Sequence, residues 1–477
     1  MCTVASVMVR RIRLSASSPL LALAVVTVLS LAARGLLLGQ PCQSPCNRAD
    51  QHTLVFDEAY YVNAARVIAG LHPPSGSHYE ASPLGTDPNA EHPQGAKLIM
   101  AAAIEIFGDG PFAWRIGSLI FGSLAILAMY ALVRAAGGGR WSAVGAATLM
   151  ACDNLLLVHG RIATLDIYAL APMIAGIALY LRGRWVAAGI MLAVADCFKE
   201  VSFYALLVLG LIELGRVAVA WRDPAPPEDW HWRPALARLV ATAFVSIGIF
   251  VGLLGIMGLI AKPYADAEGR LITGGPFDHL WHMITYGANL TSPHGPQGIA
   301  SYPWQWLLDL KPITYLRINP SLPGQGLYAI HPVSAFFGMV SPPIMALAIP
   351  GVLFGIYRLL SRRRVPAADG DGPAPAPDGD GPAPAPTRSL GDVQLAILGP
   401  AWFIGTWLPF ELQSALDSRT SYLYYMVVVM PGIYVAVTYL ISLGWRRRQT
   451  WLRVLIGLWG VGVLVAVVLM YPFVAAF

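Results

Sequence analysis

The chain predicts an all-α integral membrane protein, and three observations carry that prediction: its composition, the length of its apolar runs and the placement of its arginines. Of 477 residues, 56% are hydrophobic and 12% charged, about half the charged share of a soluble domain. Apolar stretches of roughly 17–25 residues, the length that crosses a bilayer core, recur along the sequence. They lie near 20–38, 112–133, 141–158, 163–181, 185–199, 201–215, 237–260, 333–357, 393–411, 422–443 and 452–473. This predicts about eleven transmembrane helices. The first run follows Arg10, Arg11 and Arg13. It is too long for the apolar region of a cleaved signal peptide and reads as a retained signal anchor.

With the spans alternating, the clusters Arg10/Arg11/Arg13, Arg134/Arg140, Arg182/Arg184, Arg216/Arg222/Arg233/Arg238, Arg358/Arg362/Arg363/Arg364 and Arg446/Arg447/Arg448 all fall on one side. Positive charge marks that side as cytoplasmic. Two loops of some 70 residues, 39–111 and 261–332, then lie outside the cytoplasm and are far longer than a helix connection needs. Their length makes them the expected working face. Residues 361–392 form a cytoplasmic linker containing DGDGPAPAP twice, a composition that buries no core and predicts disorder. Residues 1–360 and 393–477 form the membrane parts on either side of it.

A net charge of +5 over this length gives no basis for nucleic-acid binding. Among the five cysteines, Cys152 and Cys197 have no metal-ligand spacing, and no metal site is expected. Cys42 and Cys46 form either a small disulfide loop outside the cytoplasm or two free thiols.

The polar residues near the outer face are the candidates for function. Asp57 and Glu58 open FDEAYYVNAARVIAG, a short amphipathic helix by its spacing. Asp57 could simply cap that helix, but capping requires one acid rather than two. EHPQGAK follows, with His92 and Lys97 flanking a Pro-containing turn that would set positive charge beside a carboxylate. Segment 93–107 is too short to count as a span and is expected along the membrane surface. Arg115, Arg161, Lys199 and Arg419 all reach the outer leaflet, where an arginine or lysine needs a partner or a polar cavity. An Arg161–Asp166 ion pair across its turn is the plainer reading there. Asp153 reads as a packed helix-end carboxylate, and Lys199 and Glu200 either neutralise one another or leave Lys199 for an anion. The second loop is dense in aromatics, with His282, Tyr302 and Trp304 among them. They suit an interfacial belt, or stacking on sugar and contact with a polyprenyl chain. Together these features point to a lipid-linked substrate with an anionic head group.

FDEAYYVNAA, EHPQGAK, PFAWRIGSLIFG, DNLLLVHGRIATLDI, HMITYGANLTSPHG with SYPWQW and KPI, and SRTSYLYYMVVVMPG occur in this order. From about residue 50 to about residue 435 the chain thereby resembles the protein O-mannosyltransferases, GT-C glycosyltransferases that use polyprenyl-phosphate-linked mannose. It departs from the family at two motifs. His92-Pro93-Gln94-Gly95-Ala96-Lys97 stands for His-Pro-Pro-Leu-Gly-Lys, and His159-Gly160-Arg161 for Gln-Ser-Arg. The inserted domain of the eukaryotic enzymes is missing, which suits a bacterial type.

The resemblance implies a GT-C fold with residues 1–360 as catalytic domain, in the cell membrane, with its site on the extracytoplasmic face. It makes Asp57 the base that activates a Ser or Thr hydroxyl of an acceptor protein, with Glu58 in support. Arg115 and Arg419 first, then Arg161 and Lys199, would hold the donor phosphate. His92, His282, Tyr302 and Trp304 would contact substrate. The donor is polyprenyl-phosphate-mannose, a substrate, and no cofactor is implied. Two other readings are a sister enzyme passing a lipid-linked sugar to a polysaccharide or lipid, and a transporter. A transporter should show two matching halves with broken spans near the midplane, and no halves repeat here.

Overall fold

The computed structural model describes residues 18–42, 47–222, 231–316, 336–361, 390–447 and 449–471. Arg10, Arg11, Arg13, Cys46, Arg362, Arg363, Arg364, Arg448 and most of the 361–392 linker lie outside these residues. In hydrocarbon a backbone must satisfy its own N–H and C=O groups, and the apolar runs accordingly become helices, two of them only in part. In chain order the helices are α1 Pro19–Gly35, α2 Glu58–Ile68, α3 Gly95–Phe107, α4 Pro111–Ala135, α5 Arg140–Cys152 and α6 Asn154–His159. Next come α7 Leu165–Leu181, α8 Trp185–Asp196, α9 Tyr204–Arg222, α10 Trp232–Ile260, α11 Gly275–Asn289 and α12 Pro303–Trp306. The last are α13 Pro342–Ala346, α14 Ala348–Leu360, α15 Leu390–Asp417, α16 Met426–Arg446 and α17 Thr450–Leu469. Among the described residues, seven helical stretches are long and apolar enough to cross a membrane, and α1, α7 and α8 are shorter apolar helices. The chain is a multi-pass membrane protein.

Two expected spans differ from the structure. The run 141–158 is broken: Asp153 accepts the Leu155 and Leu156 amides (2.9 and 3.4 Å), ending α5 and starting α6. The packed helix-end reading of Asp153 therefore holds. The run 333–357 is helical only from Pro342, because residues 336–338 are extended in strand β5 (Phe336–Gly338), which pairs with β4 (Ile313–Leu316).

The bundle closes around α4, which lies along α7, while α7 packs on α8 and α15 on α16 and α9. Small residues set the close contacts. At Gly432 an added Cβ would stand 2.7 Å from the Phe403 amide nitrogen, so α15 and α16 touch backbone to backbone as membrane helices do at small residues. Along the alternating helices, Arg134/Arg140, Arg182/Arg184 and Arg446/Arg447 share one end. Asp57, Arg115, Arg161, Lys199 and Arg419 lie at the other.

At that second end the two long loops form one layer. Strand β1 (Thr86–Asp87) runs parallel to β2 (Lys262–Ala265), with Thr86 opposite Lys262, and β2 pairs antiparallel with β3 (Arg270–Leu271). Ser82 donates to Asp266 across the loops at 2.6 Å, and the His279 ring nitrogen lies 2.9 Å from the Ala90 carbonyl. Segment 93–107 packs as α3 against α2 and α4. Cys42 is disulfide-bonded, whereas Cys152 and Cys197 are free.

Candidate active site

The chain before α2 turns through left-handed backbone at Phe56 (φ 56°), a conformation costing a bulky residue about 1–3 kcal/mol. Stacking holds it, since the Phe56 ring lies 4.3 Å from that of Tyr315 and edge-on to Tyr424 at 5.6 Å. Asp57 follows at the N-cap position of α2, and its side chain accepts no helix amide. The capping explanation for Asp57 therefore fails. Its carboxylate instead lines a cavity of about 850 Å³. Tyr60 and Tyr61, one helical turn on, share that face of α2. Burial pushes the Asp57 carboxyl up to about 6, against the opposing pull of Lys199. A pKa near neutrality suits a base.

Glu58 points elsewhere, because neighbours on a helix do not share a face. It is wholly buried and takes a two-pronged ion pair from Arg115, Nε to Oε1 at 2.8 Å and Nη2 to Oε2 at 2.7 Å. It also accepts the Val55 and Ala163 amides at 2.7 and 2.8 Å. Arg115 gives its remaining N–H groups to the carbonyls of Leu38, Gln40 and Thr53. All five guanidinium donors are thus engaged. This corrects the assignment of Arg115 to a donor phosphate and of Glu58 to a catalytic part: the pair fastens α4 to the base of α2.

Arg161 is likewise turned away from the cavity. It donates to the Leu36 and Leu37 carbonyls at 3.0 and 3.2 Å and hydrogen-bonds Tyr471, so it anchors the end of α1 instead of pairing with Asp166. Asp166 pairs with Lys199 (3.0 Å), whose ammonium also sits over the rings of Tyr424 and Tyr425 at 5.3 and 5.7 Å. Burial opposes the charge on Lys199, but Asp166, Tyr425 and Glu200 together outweigh it and hold the pKa above its ordinary value. Lys199 and Glu200 do not neutralise one another, since Glu200 faces the cavity and meets His92 Nδ1 at 3.0 Å.

Arg419 is the expected cation that does line the cavity. One of its Nη atoms donates to the Gly287 carbonyl of α11, and among the described residues it makes no salt bridge. The turn carrying His92 is set by close approach. Gly95 N–H donates to the Cys197 carbonyl at 3.0 Å, and a Cβ there would lie 2.5 Å from that oxygen. The first-loop turn and the Lys199 turn are in this way held as one wall.

The cavity brings together Asp57, His92, Glu200 and Arg419, and the second-loop candidates fall outside it. His282 lies 3.8 Å from Glu268, and Tyr302 and Trp304 stack on one another at the surface. The aromatic lining comes instead from Tyr60, Tyr61, Tyr204, Tyr286, Tyr422, Tyr424 and Tyr425. Doubled tyrosines beside both FDE and SRT in the sequence were the available signal. Asp87 was missed. It is fully buried against Lys97 at 2.6 Å, and Lys97 also donates to the Asn89 and His92 carbonyls, so this pair shapes the wall that presents His92.

The family model described as dolichyl-phosphate-mannose-protein mannosyltransferase matches residues 24–254. A polyprenol-phosphate-mannose--protein mannosyltransferase of Mycolicibacterium smegmatis is 24% identical over 390 residues, covering 71% of this chain and 72% of the relative. Its counterpart in Corynebacterium glutamicum is 25% identical over 366 residues, covering 65% and 68%. In fold, the chain is similar to the S. cerevisiae protein O-mannosyltransferase Pmt1-Pmt2 complex bound to its sugar donor, with a TM-score of 0.63 at 11% identity over 95% of this chain and 89% of that one. It is also similar to apo ArnT from Cupriavidus metallidurans, with a TM-score of 0.50 at 15% identity over 92% and 63%. In sequence and in fold the chain is similar to the protein O-mannosyltransferases, and it is a membrane glycosyltransferase of the GT-C fold.

Proposed function

We propose that the chain transfers mannose from a polyprenyl-phosphate-mannose donor to Ser or Thr hydroxyls of proteins at the extracytoplasmic face of the cell membrane. The observation that carries this reading is Asp57, an uncapped carboxylate with a pKa near 6 in a cavity that also holds Arg419. Asp57 takes the proton of the acceptor hydroxyl as its oxygen bonds to the anomeric carbon. The bond from that carbon to the phosphate oxygen breaks, and the polyprenyl phosphate leaves with the electron pair. The phosphate is a good leaving group, so no acid has to protonate it. Charge stabilisation in a water-poor site suffices, and Arg419, with donors beyond its bond to Gly287, supplies it. A single displacement inverts the carbon, taking a β-linked donor to an α-linked product. Glu58, Arg115 and Arg161 act by position, holding α2, α4 and α1. Lys199, paired with Asp166, acts on Asp57 by drawing its carboxyl down against burial.

The test is transfer of radiolabelled mannose from polyprenyl-phosphate-mannose to a Ser/Thr peptide by the purified full-length protein. Asp57→Asn should lower turnover by about 10²–10⁴-fold, the usual worth of a general base. Its melting temperature in detergent should stay unchanged, because the side chain caps nothing. Near-normal transfer by this variant would remove Asp57 from the mechanism. A wild type that ignores mannose but passes arabinose or glucose to a polysaccharide or lipid would instead make it a sister enzyme.

A further inference from the structure

A second cavity lies at the other end of the bundle, a groove of about 780 Å³ between α5, α16 and α17. Its charged end is formed by Arg140 at the start of α5 and Arg446 at the end of α16. Both are exposed, and among the described residues neither makes a salt bridge. Between them the Ser142 and Ser442 hydroxyls meet at 2.9 Å. The N-cap of α5 is Gly139, whose missing side chain leaves the first-turn amides uncapped, a position that favours an anion. Trp141 and Trp445 flank this end, as aromatic rings do at the head-group level.

From Arg140 to Cys152 the groove follows α5 for roughly 18 Å, taken from the helical rise, and becomes apolar. One wall is α17, where Gly457 and Gly460 line the groove and a Cβ on either would meet nothing within 4 Å. Along α16, a helix of 21 residues, Arg446 stands at the opposite end from Met426, next to the tyrosines of the catalytic cavity. That is roughly 30 Å of helix, about the thickness of the hydrocarbon core. The paired arginines thus sit at the head-group level of the leaflet opposite the catalytic cavity, and the apolar part is about half a bilayer deep.

We propose that this groove binds an anionic phospholipid of that leaflet, its phosphate between Arg140 and Arg446 and one acyl chain along Gly457 and Gly460. The charge complementarity selects an anion, and the groove's length matches a chain of one leaflet rather than a polyprenyl tail, which would overrun it. The bound lipid fills the seam where α17 meets the bundle, since α17 is otherwise largely exposed.

The test is native mass spectrometry of the delipidated full-length protein, titrated with phosphatidylglycerol, with phosphatidylcholine of identical chains, and with undecaprenyl phosphate. Phosphatidylglycerol should bind in preference to phosphatidylcholine. Arg140→Ala and Arg446→Ala should each weaken it about fivefold, from the usual attraction of one arginine to an anionic head group. Gly457→Leu and Gly460→Leu should block it while the protein remains monodisperse, because these positions open onto space. Equal binding of the two phospholipids, indifference to both arginine variants, or undiminished binding to the leucine variants would overturn the site. Displacement of phosphatidylglycerol by equimolar undecaprenyl phosphate would overturn the choice of ligand.

Discussion

Asp57 and Glu58 are adjacent acids with opposite duties, and the difference is a matter of direction. Asp57 accepts no amide and faces the cavity, whereas Glu58 is spent on Arg115 and two amides. Burial raises the Asp57 pKa to about 6, and only the deprotonated form can accept a proton. The rate kcat/KM should therefore be level above pH 6 and fall about tenfold per unit below it, and the inflection should vanish in Asp57→Asn. Glu58→Gln should do the reverse of Asp57→Asn. It leaves Arg115 buried without its counter-charge, a loss of about 3–5 kcal/mol that a detergent melting curve would register before any change in chemistry. From the sequence the acidic pair was legible as a functional feature, but its division was not, because which neighbour points inward depends on the turn at Phe56.

Among the elements, the helices were readable from apolar run length and their ends were not. The break in the run 141–158 depends on Asp153, which also accepts the Ser341 amide at 3.2 Å from a segment nearly 190 residues away. A long-range partner of that kind leaves no trace in local composition. The turn before α3 follows the same logic. Its glycine could be read as a bend, but the oxygen that demands glycine belongs to Cys197. Gly95→Ala should push the His92 turn away from the Lys199 turn, costing about 1–3 kcal/mol as overpacking does. It should also raise KM for acceptor or donor with a smaller loss of kcat, measurable in the peptide assay.

For the whole molecule, the two long loops were legible as the working face from their length, but their fusion into one layer was not. Strand β1 has two residues and β2 four, too short to announce a pairing that spans about 175 residues of sequence. Lys97 and Asp87 lock the same layer with both groups fully buried. Lys97→Ala or Asp87→Ala alone should each destabilise by about 3–5 kcal/mol, because each strands a buried charge. The double variant should lose clearly less than the sum of the two, as a thermal double-mutant cycle would show. By itself the sequence determined what depends on composition and order along the chain: a helical membrane protein, arginines gathered at one end, and the acids and cations of one family's motifs at the other. Only the tertiary structure decided which of those cations has donors left for a phosphate. Arg115 is taken up by carbonyls and a carboxylate from distant segments, Arg161 is turned to the end of α1 outside the cavity, and Arg419 faces the cavity with Asp57. A side chain's free donors are fixed by whatever packs against it, and packing brings together residues whose separation in sequence carries no signal.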